Sequence, residues 1–199
     1  EHLGGPDLIK SIWENSRYAA NSVNDISFVS INSALEEVGS SFNSAINNMR
    51  IANRIMSSHP NAFPFTYEEA NTYPVTGPLE IAQLSFENNT VNYMQNAISK
   101  NAANYFKIDL LSPAKIKIDV GNGFEEDIFS AVILKYQNGE NWTIKMGNDL
   151  NIDPGTKLEW ASLLINTQSQ NQNSWSYSLS IGPGKTEDFN VNNDYPNPY

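Results

Sequence analysis

The strongest hydrophobic pattern in the chain runs from Asp127 to Met146. Ile128–Tyr136 is apolar at both alternating sets of positions, which suits a strand buried on both faces in the middle of a sheet. The run that follows alternates, with Trp142, Ile144 and Met146 on one side and Asn141, Thr143 and Lys145 on the other. That suits a half-solvated neighbour. Asn138-Gly139 lies between the two runs, and a type I′ turn needs φ > 0 at both central residues, which this pair tolerates best. The pattern predicts a hairpin at the centre of a C-terminal β-sandwich.

Period-two segments recur around it: Leu79–Glu87, Ala103–Leu110, Lys115–Val120, Leu158–Asn166 and Ser174–Ile181. Asn92–Ser99 fits either a strand or a single helical turn. Turn residues separate the segments, at Ser112-Pro113, Gly121-Asn122-Gly123, Asp153-Pro154-Gly155 and the polar stretch Thr167–Asn173. Short strands punctuated this often suggest a sandwich of immunoglobulin or fibronectin type.

Ahead of Leu79 the spacing is helical. Pro6 and Asp7 suit a first helical turn, and Leu8, Ile9, Ile12 and Trp13 then share a face. A second helix is expected after a cap at Asp25 or Ser27, with Phe28, Ile31, Leu35 and Val38 as its stripe and Gly39 as its stop. A third starts at Ser40 or Ser41 and carries Phe42, Ile46, Met49, Ala52 and Met56. Residues 57–78 hold Pro60, Pro64, Pro74 and Pro78 among aromatics, which forbids a long helix or a central strand. An ordered wrapping loop is expected, with one helical turn at Tyr67–Asn71. The predicted class is therefore α+β: a small N-terminal helical subdomain (1–78), an antiparallel β-sandwich (79–182) and a polar, proline-containing linker (183–199).

Composition narrows the function classes. The 199 residues carry a net charge of −10 with only 17% charged residues. No Lys/Arg cluster is present, so nucleic acid and anionic membrane are not expected partners. Cysteine is absent, which excludes disulfides, thiol nucleophiles and thiolate zinc sites. No apolar run approaches the ~18 residues of a membrane span. The chain opens on Glu-His-Leu without Met and reads as a segment of something longer. Its abundance of Asn, Ser, Thr and Tyr with little Lys is common among exported bacterial proteins.

Candidate chemistry is sparse. His2 and His59 are isolated, and neither sits in a metal or nucleophile motif. Glu68-Glu69 are adjacent, so on a helical turn they point about 100° apart and do not form an acid/base pair. Asp149, Asn151 and Asp153 have the one-three-five oxygen spacing of a calcium loop. Pro154 stands where an EF-hand needs Gly, and Trp160 stands at the twelfth position, where it needs Glu. The same alternation makes a plain strand and turn with Leu150 and Ile152 inward, the reading the pattern favours. Trp142, Trp160 and Trp175 are candidates for a sugar-stacking platform, although each lies in a strand pattern where packing is the ordinary role. Trp13, Met49 and Met56 read as core.

Two stretches carry a resemblance. Glu-His-Leu-Gly-Gly-Pro-Asp-Leu-Ile-Lys-Ser-Ile-Trp-Glu (1–14), Ser41-Phe42 and Tyr-Glu-Glu-Ala-Asn-Thr-Tyr-Pro (67–74) resemble a family of bacterial secreted zincin-like metalloproteases. In that family a similar helix follows the zinc-binding lobe and precedes a β-sandwich. Asn193-Asp194-Tyr195-Pro196-Asn197-Pro198-Tyr199 resembles the Asn-Tyr-Pro-Asn-Pro-Phe opening of type IX secretion sorting domains, with Asp194 and Tyr199 as departures. The resemblance implies an extracellular or cell-surface parent with zinc only in an upstream lobe. A zincin needs its zinc ligands and the Glu that activates the bound water. H-E-x-x-H does not occur here, so no catalytic residue carries over. The expected role is a non-catalytic C-terminal region whose partner is the catalytic lobe, acting on protein or glycan substrates. The chain itself is expected to hold no cofactor beyond the candidate calcium. The rival readings are a carbohydrate-binding or adhesion sandwich and a structural spacer.

Overall fold

The computed structural model describes residues 5–18, 28–74, 77–85, 89–137, 141–155 and 157–184. It divides into two compact units, Glu1–Met49 and Arg50–Tyr199.

The first unit holds α1 (Gly5–Tyr18), α2 (Phe28–Glu37) and the first turns of α3 (Phe42–Ile55). α2 ends as expected. Gly39 takes φ 74°, its N–H bonds to the Glu36 carbonyl at 3.0 Å, and the Ser40 N–H bonds to the Leu35 carbonyl at 2.8 Å. This is a Schellman closure, which satisfies carbonyls the helix leaves orphaned. Ser41 caps α3 by accepting the Ser44 N–H at 3.1 Å. Ala34 and Leu35 are buried, and Phe28 meets Phe42 edge-on with ring centroids 4.8 Å apart. The cap expected at Asp25 or Ser27 lies outside the described residues.

The predicted stripes need correction. Val38, Ile9, Trp13 and Met49 are exposed; α3 buries Ala52 as expected, but with Ile51 and Ile55 rather than Met49. Two apolar registers coexist on α3, and the one that finds a partner is set by the sheet it meets.

The second unit is a β-sandwich. Its strands are β1 (Ala82–Ser85), β2 (Val91–Ser99), β3 (Ala103–Asp109), β4 (Ala114–Val120), β5 (Ile128–Tyr136), β6 (Asn141–Met146), β7 (Asp149–Ile152), β8 (Leu158–Thr167) and β9 (Ser174–Pro183). One sheet has the order β1-β3-β8-β5-β6 and the other β2-β9-β4-β7. β1 pairs parallel with β3, and every other described pairing is antiparallel. Among the described strands only the β5–β6 connection stays within one sheet. The hairpin forms as predicted, with Tyr136 opposite Asn141; its Asn138-Gly139 turn lies outside the described residues.

Asn92–Ser99 is strand, not helical turn. It is a sheet edge, and a bulge between Gln95 and Ile98 breaks its alternation. The helical turn expected at Tyr67–Asn71 appears as a 3-10 turn at Ala70–Thr72.

Phe106, Ile116, Ile118, Val132, Leu134, Leu163, Ile165, Trp175, Tyr177 and Leu179 fill the space between the sheets. A second apolar layer lies on the outer face of the five-stranded sheet. There Ile51, Ala52 and Ile55 of α3, with Ala62 and Phe65 of the proline-rich loop, cover Tyr105, Ala131, Ile133 and Leu164. This explains why β5 is apolar on both sides: Val132 and Leu134 face the sandwich, and Ala131 and Ile133 face the helix. The apolar side of β6 belongs to the same outer layer.

Candidate functional site

The outer face of the five-stranded sheet changes character beyond the part that α3 covers. Pairing aligns Ser85 with Asp109 on β1 and β3, Lys135 with Trp160 on β5 and β8, and Lys135 with Trp142 on β6. Side chains of one register row share a face because the strand period is two. Lys135 thus stands between two indoles.

Each of those groups is held by its neighbours. The Arg54 guanidinium lies 4.4 Å from the centre of the Trp160 ring, and it pairs with Glu80 at 2.8 Å. The Lys135 ammonium lies 5.1 Å from the centre of the Trp142 ring and 3.9 Å from the Glu159 carboxylate. A cation over an indole face fixes the ring and is worth roughly 0.5–2 kcal/mol depending on desolvation. Burial lowers the pKa of Arg54 from its usual value, and the Glu80 charge opposes the shift.

Asp109 accepts from the Ser85 hydroxyl and, at 2.7 Å, from the Gln83 side-chain amide, both at Oδ2. Those bonds, the Ser85 one foremost, hold its carboxyl below the ordinary carboxylate range. Beside it opens a cleft of about 370 Å³ lined by Lys107, Asp109, Leu111, Glu159 and Trp160 among others. A register shift between Lys135 and Tyr136 leaves Glu159 as an extra residue on β8, so Glu159 and Trp160 both border the cleft. Bulges commonly re-aim side chains in this way.

The three tryptophans named from sequence therefore separate. Trp142 and Trp160 share the outer face, half-buried. Trp175 does not join them: it is fully buried between the sheets, and its indole N–H donates to Asp127 Oδ2 at 3.1 Å. β9 alternates, and Trp175 falls on its inward side. Burial raises the Asp127 carboxyl pKa, but bonds from the Phe124 N–H, Ser169 and Trp175 outweigh that, and it stays below the usual range.

Asp149, Asn151 and Asp153 do not converge either. β7 is extended, so alternate residues stand roughly 7 Å apart, whereas calcium ligands converge within about 2.6 Å of one point. Asp149 pairs with Lys115 at 3.2 Å, and Asp153 accepts the Gly155 N–H at 2.9 Å in an Asx turn. Leu150 and Ile152 point inward, as the strand reading expects. Among the described residues no group of three His, Asp or Glu is arranged to hold a metal. His59 uses its ring Nδ1 to accept the Asn61 N–H at 3.2 Å, a cap for the following 3-10 turn. His2 and residues 193–199 lie outside the described residues.

Sequence reasoning missed Arg54, Lys107, Asp109, Lys135 and Glu159. The available signal was a lysine among the apolar residues of each of two strands, at Lys107 and Lys135.

No family model and no curated protein matches the chain. Among solved structures, the pre-peptidase C-terminal domain of a Bacillus anthracis collagenase aligns at 16% identity and TM-score 0.35, covering 53% of this chain and 98% of that one. The Yersinia pseudotuberculosis-derived mitogen aligns at 12% identity and TM-score 0.36, covering 54% and 94%. The Salmonella Typhimurium periplasmic inhibitor of g-type lysozyme aligns at 13% identity and TM-score 0.31, covering 51% and 96%. Likenesses of this size establish neither family nor function. Among the described residues no helix is long and apolar enough to cross a membrane.

Proposed function

We propose that this chain is a non-catalytic accessory region of an exported bacterial protein, a helical support joined to a β-sandwich, and that its parent is a zincin-like metalloprotease. The observation that carries the reading is the surface of the helical unit. Trp13 is 71% exposed, Ile9 55% and Val29 59%. Ile9 and Trp13 are one helical turn apart and share a face. Two adjacent exposed apolar side chains on one helix face are what a docking surface would present.

The occupant proposed for that face is the catalytic lobe. The support is the 1–14 stretch, which resembles the helix that follows the zinc lobe in the secreted family. Extracellular placement rests on the Asn-rich composition and on the sorting-signal resemblance of 193–199. H-E-x-x-H does not occur in the sequence, so this reading expects no zinc-dependent peptide hydrolysis by residues 1–199.

The test is the reading frame on either side of this segment, followed by an assay. An upstream H-E-x-x-H with a later Glu, and hydrolysis of casein by the longer protein but not by residues 1–199, support the proposal. A reading frame without zinc ligands, or hydrolysis by residues 1–199 alone, overturns it.

A further inference from the structure

We propose that the cleft beside Trp160 binds a neutral saccharide, stacked on the indole and held by Asp109, Lys107 and Glu159. Sugar rings present an apolar C–H face and a rim of hydroxyls that both donate and accept. The cleft offers the complement. Trp160 lines the cleft and supplies its flat aromatic surface. Carboxylates at Asp109 and Glu159 accept, and the Lys107 ammonium donates. Both internal bonds to Asp109 fall on Oδ2, so Oδ1 remains an acceptor for a ligand hydroxyl.

Charge argues for a neutral ligand. Arg54 is matched by Glu80 and Lys135 by Glu159. Among the described residues lining the cleft, Lys107 and Asp109 form no ion pair, and Asp109 lies close enough to feel the Lys107 charge. No net positive field remains to attract an anion, in a chain whose net charge is −10. A purely apolar ligand would leave the Lys107 ammonium and Asp109 Oδ1 without partners. The volume, about 370 Å³, is at the small end of the roughly 300–1,000 Å³ of ligand sites and suits a short saccharide end.

The order of the site has a structural cause. Trp160 is clamped by Arg54, and Asp109 is oriented by Gln83 and Ser85, so neither needs to be ordered on binding. Such preorganisation is what lets a small contact area hold a ligand. This inference does not depend on the accessory-region reading. Its residues lie on the sandwich strands, and the docking face lies on the helices.

The experiment is calorimetric titration of residues 1–199 with hexasaccharides of β-1,4-linked glucose, β-1,4-linked N-acetylglucosamine and α-linked mannose, with an oligogalacturonate as the anionic probe. Binding of at least one neutral probe with a dissociation constant below about 1 mM is expected. Asp109→Ala should weaken it about tenfold or more, and Trp160→Ala should abolish it. Met94→Ala, exposed on the other sheet, should leave it unchanged. Asp109 is partly exposed, so its variant keeps the test valid if Trp160→Ala does not fold. No heat with any neutral probe, binding that Asp109→Ala leaves unweakened, or binding of the anionic probe alone overturns the proposal.

Discussion

Asp127 shows how one side chain fixes a corner of the sandwich. It is buried, accepts the Phe124 N–H at 2.9 Å and the Trp175 indole N–H at 3.1 Å, and so joins the loop before β5 to the start of β9. Gly123 permits that approach. It takes φ 112°, and a Cβ there would lie 2.6 Å from Asp127 Oδ2 and 2.9 Å from the Trp175 ring. Asp127→Ala leaves the indole donor unpaired in a dry site and should cost about 1–3 kcal/mol in urea unfolding at neutral pH. The carboxyl is held below its ordinary range, so its contribution is present above the unfolded-state value near ~3.9 and is lost as pH falls through the lower folded value. Asp127→Asn should therefore lose less stability than the parent between about pH 5 and about pH 2. Equal losses would show that this carboxyl is not the one responsible. The indole was legible in the sequence as a strand residue. Its packing role was legible too, because Ser and apolar residues alternate strictly along Ser174–Ile181; its partner Asp127 was not, because the two are far apart in sequence.

Among the elements, β5 and α3 teach the most. The double-sided apolarity of Ile128–Tyr136 identified an interior strand correctly, since only a strand covered on both faces tolerates that composition. What covers its second face could not be read. α3 carries apolar residues on more than one line, and Met49 stands on the line that stays exposed while Ile51 is fully buried against the sheet. Ile51→Ala should cost about 2–5 kcal/mol, the loss of a packed side chain with a cavity left behind. Met49→Ala should move stability by no more than about 0.5 kcal/mol. Denaturant midpoints for the two variants separate the alternatives; equal effects would place α3 in the wrong rotation. β2 escaped clear assignment for another reason. It is an edge strand with a bulge, and polar residues on both sides of an edge erase the period that identifies it. The Trp142–Lys135–Trp160 row was equally hidden, because its members are far apart in sequence and meet only through pairing.

At the scale of the whole molecule, charge and surface decide the partners. A chain of net charge −10 without a basic cluster has no means of releasing counterions from a polyphosphate. It should pass through a duplex-DNA column at about 0.1 M salt, where retention would expose a basic patch that the charge pattern does not contain. The class, helices followed by a sandwich, was legible because the hydrophobic period changes from 3.6 towards two after the proline-rich loop. The unit boundary was expected at that loop, yet the division falls at Met49, because the end of α3 and the loop itself pack on the sheet. Function was the least legible level: it rests on the exposed helical face and on two short resemblances.

The most direct measurement is hydrogen exchange at the α1 amides, compared between residues 1–199 and the longer protein from the same reading frame. If Ile9 and Trp13 dock against a catalytic lobe, as proposed, exchange in α1 is slower by at least about tenfold in a longer protein that the frame encodes. Equal exchange in the two would contradict it, and with it the proposal that this chain supports an enzyme.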